Sequence, residues 1–245
     1  MGRIPPLPLI LLLVLGACSP PAELVRAVKQ RPGLQSLRLY VGVADALPKL
    51  VVNNILQPVL GMPQKVHIIC REGKLADLLE QLAAHRLDIV LADEPASSSL
   101  KFKAFTHLLG ESGVTFCAAP RLAGRLRRGF PASLHEAPAL LPTDNTALRR
   151  CLERWFQERQ IRPQVVAEFD DAALMKVMAA DEKGFAPLPS VVAAEAITRY
   201  GLKKVGSTEE CKEQFYAITA ERRIRHPAAV AITQNARACL FAPGS

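Results

Sequence analysis

The chain has 245 residues, of which 49% are apolar, 22% charged and 5% aromatic, with a formal net charge of +8. These proportions describe a globular chain and exclude a disordered, collagen-like or multi-span membrane protein. The length allows one large domain or two small lobes, with a core built mainly from Leu, Val, Ile and Ala.

Residues 1–18 stand apart from the rest. Met1-Gly2-Arg3 is a short basic start, Leu7–Leu15 is almost wholly apolar, and Leu15-Gly16-Ala17-Cys18 precedes the polar Ser19-Pro20-Pro21. A basic start, a short apolar run and small residues at a cut site describe an export signal. The run is too short to cross a bilayer as a mature helix. Its Leu-Gly-Ala-Cys ending resembles a bacterial lipoprotein signal. That resemblance implies lipidation at Cys18 and a membrane-anchored protein on the periplasmic side. The other cysteines point elsewhere. Cys70, Cys117, Cys151, Cys211 and Cys239 are odd in number and show no CxxC or metal-ligand spacing. Cys70 and Cys117 fit buried small hydrophobes. A free-thiol core suits a reducing compartment, which makes the cytoplasm the alternative location.

The remaining chain alternates strand and helix. Leu37–Val43 is a buried strand, residues 46–60 have helical apolar spacing, and Val66–Cys70 is a second strand. Residues 74–85 form an amphipathic helix, with Leu75, Leu78, Leu79 and Leu82 on one face, and residues 87–92 form a third strand. This βαβαβ order with uninterrupted apolar strands predicts a parallel sheet covered by helices. A strand over 113–118 and a short basic helix from Pro120 follow. A second α/β unit has strands over 139–141, 164–169 and 184–188 and helices over 147–160, 171–180 and 189–200. The chain closes with a strand over 214–219 and a helix over 227–240.

The second unit is inserted into the first, which predicts two lobes with a cleft: lobe 1 from 37–115 and 213–245, lobe 2 from 116–212. Ligands of open α/β sheets bind beyond the carboxyl ends of strands. Five post-strand segments therefore supply the candidate ligand-binding residues: Ala44 and Asp45; Glu72 and Gly73; Asp93; Thr143, Asp144 and Asn145; Asp170 and Asp171. Several sit at helix N-termini, where the acidic ones also serve as caps. A carboxylate-rich cleft favours a cation or an amine-bearing ligand, whereas backbone donors favour an anion.

The segments VGVADALPK (41–49), HRLDIVLAD (85–93), GESGVTFCAAP (110–120), EFDDAALMK (168–176) and the stretch from Gln214 to Val230 resemble the effector-binding domain of LysR-type transcriptional regulators. The closest subgroup is the activators of sodium/proton antiporter genes. The resemblance implies a fold similar to type 2 periplasmic binding proteins, with two α/β lobes, two crossing strands and a small-molecule or ion effector in the cleft. It also implies a homodimer, or a heterodimer with intact relatives. Residues 22–29 are similar to the last turns of the family's linker helix, so 19–36 is expected to be a linker remnant. No winged helix-turn-helix fits into residues 1–36, so direct nucleic-acid binding by this chain is not expected. Residues 180–183 are charged where the family is small and Gly-rich, and Pro187 falls inside a strand.

The five histidines are scattered, and there is no HExxH, GxSxG or phosphate loop. GESG at 110–113 fits a turn. No catalytic residue, cofactor or metal is assigned, and the chain is expected to be non-enzymatic. Three basic clusters stand out: Arg121-Arg125-Arg127-Arg128, Arg149-Arg150-Arg154 and Arg222-Arg223-Arg225. Glutamates are interspersed and aromatics are not, which fits solvated helix faces better than a base-stacking platform. Two readings remain: a sensor module of LysR type, and an exported lipid-anchored solute-binding protein.

Overall fold

The computed structural model describes residues 37–97, 102–144 and 146–241. The leader with Cys18, the linker remnant and Asn145 lie outside the described residues.

Strand β1 (Leu37–Ala44) pairs in parallel with β2 (Val66–Gly73) and β3 (Ile89–Ala92). Between them run α1 (Lys49–Leu60) and α2 (Leu75–Ala83). Each helix buries one stripe: Leu50, Val51, Ile55 and Val59 on α1, and Leu78, Leu79 and Leu82 on α2. That is the 3.6-residue period of an amphipathic helix. β3 is buried throughout because it lies in the middle of the sheet.

Two long strands depart from the expected pattern. β4 runs Phe105–Ala118 and β8 runs Lys203–Thr219, and they pair antiparallel along nearly their full length. The sheet is therefore mixed, in the order β2-β1-β3-β8-β4-β7. The purely parallel sheet is corrected beyond β3. The GESG segment is corrected too: residues 110–113 lie inside β4, between β-bulges. Gly110 is required there because the Phe241 ring occupies the space of any side chain. Cys70 is also corrected, since it is exposed on β2, the sheet's edge strand.

β4 and β8 are the two crossing strands. Their outer halves (105–112 and 213–219) extend the first lobe beside β3. Their inner halves (114–118 and 203–208) enter the second lobe. There β7 (Ala186–Pro189) joins β4 antiparallel. β5 (Pro138–Pro142) pairs in parallel with β6 (Gln164–Phe169) and touches the chain before β7 at Ala139 and Phe185. Helices α3 (Pro120–Leu126), α4 (Ala147–Glu158), α5 (Ala172–Ala180) and α6 (Ser190–Tyr200) cover this lobe. α7 (Pro227–Asn235) returns to the first lobe and packs on α1.

The second lobe has an aromatic core. Phe116 lies 5.2 Å from Trp155, 5.6 Å from Phe130 and 5.9 Å from Phe185 between ring centroids. The largest apolar cluster, however, is common to both lobes. It runs from Val41, Leu47 and Val51 to Met175, Leu188, Val192 and Ala196. The lobes are closed on each other.

Candidate functional site

The lobes meet around a cavity of about 30 Å³. That volume admits a water-sized species in this closed form. The first lobe and crossing strand contribute Ala46, Pro48, Leu50, Asp93 and Glu213. The second contributes Pro142, Thr146, Phe169, Asp170, Lys176 and the β7 prolines, Pro187 and Pro189.

Three ionisable side chains are buried here. Glu213 is 2% exposed, and its Oε2 has no hydrogen-bond partner. Burial, reinforced by the charge of Asp93, pushes the Glu213 carboxyl up to about 8. Asp93 is itself raised by burial, which hydrogen bonding from its own N–H and that of Ala147 partly offsets. Lys176 is 2% exposed, with Nζ 5.8 Å from the centre of the Tyr200 ring. Burial lowers its pKa, Asp171 opposes that shift and Lys49 adds to it. A buried ionisable group without a fixed counter-charge is costly, so such groups mark functional sites.

Two side-chain pairs span the cleft between the lobes. Arg150 on α4 pairs with Glu94 after β3. Asn54 Nδ2 on α1 donates to Glu195 Oε2 on α6 at 3.2 Å. Thr146 caps α4, its Oγ1 accepting from Arg149 N at 3.1 Å and donating to the Thr143 carbonyl at 3.0 Å. Arg149 is no solvated residue. Its side chain is 11% exposed and binds Glu168 at 2.6 Å, Glu153 at 2.9 Å and the Pro142 carbonyl at 2.8 Å. It thereby anchors the loop after β5 to β6.

Of the ten candidate residues, Asp93 and Asp170 line the cavity. Asn145 lies outside the described residues, and the other candidates have different employment. Thr143 donates to Asp170 at 2.6 Å, and Asp171 caps α5 through Ala173 N at 2.7 Å. Asp45 accepts from Ala46 N at 2.9 Å, and Glu72 holds Lys49 at 2.7 Å. Ala44 is buried and stands opposite Gly73 in the β1–β2 register, while Asp144 is exposed. Glu213 and Lys176 were not singled out from the sequence. The signal for Glu213 was its place at an inward position of an alternating strand, between Cys211 and Phe215. Lys176 carried one too, in the middle of an otherwise apolar helix.

Among the described residues, no helix is long and apolar enough to cross a membrane, and no group of three or more His, Cys, Asp or Glu could hold a metal ion. The LysR substrate binding domain model matches residues 32–238. Over 209 residues the chain is 35% identical to the transcriptional activator protein NhaR of Escherichia coli, covering 85% of this chain and 68% of the relative. The apo regulatory domain of HypT from Salmonella typhimurium superposes with a TM-score of 0.61 at 18% identity, over 86% of this chain and 99% of that one. Vibrio fischeri DarR, solved in complex with DNA, gives 0.61 at 17% identity, over 84% and 69%. The fold is that of type 2 periplasmic binding proteins, and the chain belongs to the LysR substrate-binding domain family.

Proposed function

We propose that this chain is the effector-sensing part of a LysR-type transcriptional activator, and that its effector is a small cation or an amine-bearing molecule. The observation that carries this reading is Glu213. Its buried Oε2 has no donor, it faces the inter-lobe cavity, and Asp93 lies in the same wall. A cation or ammonium group supplies the missing partner and displaces the proton that burial retains on Glu213. Because both lobes line the cavity, a ligand held there favours the closed form over the open one. That difference in affinity is the signal. The buried Lys176 lines the same cavity and adds a second polar group to its wall.

The domain works as a pair on this reading. β6 presents an unpaired edge among the described residues, with Val165 and Val166 exposed, and Leu174 and Val177 on α5 are exposed beside it. Such an apolar edge is ordinarily covered in a native protein. Work beside DNA with a second copy also fits the cytoplasm rather than a lipid-anchored life outside it.

Thermal melting with alkali-metal chlorides and small primary amines tests the site. A Kd-dependent rise in Tm at pH 8, lost in Glu213→Gln, is the expected result. No shift with any of these, or an equal shift in the variant, would overturn the reading.

A further inference from the structure

Sequence spacing alone makes the Arg121–Arg128 run one solvated helix face among three basic clusters. The tertiary structure separates it from the other two. Arg149 and Arg150 of the second cluster and Arg225 of the third each hold a carboxylate, while Arg154, Arg222 and Arg223 hold none among the described residues, so only the first cluster is wholly without an ion pair. Arg121, Arg125, Arg127 and Arg128 form no ion pair among the described residues, and all are exposed. The fold also adds two more cations. β4 ends at Ala118, just before α3, and Cys117 and Ala118 stand opposite Lys204 and Lys203 at the start of β8. α3 and the turn after it pack on β8, and the Phe130 ring lies over Gly206. Lys203 and Lys204 are exposed and unpaired as well. The charge of Lys204 reaches into the lobe, where it opposes the burial that pushes the Cys117 thiol up to about 12.

Six uncompensated cations thus share one end of the second lobe. Natural surfaces intersperse the two signs unless a field is needed for steering or docking. We infer that this face docks on the phosphate backbone of a DNA duplex, without reading bases. Three features favour a duplex over other polyanionic partners. Four of the six cations are arginines, whose planar fork matches phosphate oxygens. None of the protein's exposed large apolar residues lies in this segment, as a protein interface core or membrane insertion would require. No exposed aromatic is available to stack on the bases of a single strand. The inference is independent of what the inter-lobe cavity binds.

The test is fluorescence anisotropy of a labelled random-sequence duplex with the full chain, between about 50 and 200 mM salt. Two variants are compared after thermal melting shows both folded. One is Arg125→Glu/Arg128→Glu/Lys203→Glu/Lys204→Glu. The other, with matched charge change on other exposed sites, is Lys65→Glu/Lys74→Glu/Arg222→Glu/Arg223→Glu. The expected result is a log–log salt slope of about −3 or steeper, and a loss of about tenfold or more in affinity for the first variant only. Absence of binding at the lowest salt, or equal loss in both variants, would overturn the assignment. So would tighter binding to anionic phospholipid vesicles or polyglutamate than to the duplex.

Discussion

Asp93, just beyond the end of β3, and Glu213, in β8, line one cavity, and the charge of Asp93 adds to the burial that pushes the Glu213 carboxyl up to about 8. Folded protein therefore keeps a proton on Glu213 that the unfolded chain releases near the ordinary 4.5. Below that value both states are protonated and the stabilising difference is fully present. As pH rises toward 8 it is lost, at up to about 1.4 kcal/mol per pH unit. Tm measured from pH 5 to 8 is expected to fall, and Glu213→Gln should flatten the curve. Parallel curves for the two proteins would remove Glu213 as the source.

Lys176 is buried on α5 beside the Tyr200 ring, and desolvation lowers its pKa more than the charge of Asp171 restores it. Lys176→Met keeps the side-chain length and removes the desolvation cost. Tm is expected to rise by about 2–4 °C for each kcal/mol recovered. A drop would show that the ammonium is better compensated than its contacts indicate.

Phe116 touches Phe130, Trp155, Phe156 and Phe185 at the centre of the second lobe. Phe116→Ala should cost about 3–5 kcal/mol by denaturant unfolding. Since Trp155 is the sole tryptophan, its fluorescence should change in the same variant while the chain remains folded.

Gly184 precedes β7 where the chain passes close to β5. A Cβ there would sit 2.8 Å from the Pro138 carbonyl oxygen and 3.0 Å from its carbon. Backbone on both sides cannot yield cheaply, so Gly184→Ala should destabilise by roughly 1–3 kcal/mol. Gly124 in α3 has nothing within 4 Å of the same position. Gly124→Ala should stabilise by about 0.4–1 kcal/mol. Urea midpoints that move in the same direction for both would contradict this geometry.

If a second copy covers the β6 edge, charge placed there will keep the copies apart. Val166→Lys/Leu174→Lys should sediment as a monomer at concentrations where the unaltered chain is a dimer. The residues are about half exposed, so the fold should survive. An unaltered chain that is monomeric throughout would remove this surface as the interface.

Much of the fold was legible in advance, for a simple reason. Leu78, Leu79 and Leu82 repeat at helical spacing, and Ile89–Ala92 is an unbroken apolar run, so local pattern and tertiary burial agree. The outer part of β4 and the first half of β8 were not legible by that means. Lys203–Glu213 carries charge at most exposed positions and buries only every second or third residue, with bulges shifting the register. The same weakness hid the site. Asp93 and Asp170 stand where post-strand turns were expected, but Glu213 looked like one more charge in a charged strand.

Sequence by itself determined the alternation of strand and helix, the segments that resemble LysR-type regulators, and the turns from which a cleft must be built. Those depend on periodicity and on local backbone preference, which neighbouring residues encode. Only the tertiary structure decided which carboxylates face each other, that Arg149 is an anchor rather than a surface charge, and that Lys203 and Lys204 join the Arg121–Arg128 face. Each of these depends on strand register and lobe closure, which bring together residues far apart in the chain and change what a charge costs or attracts.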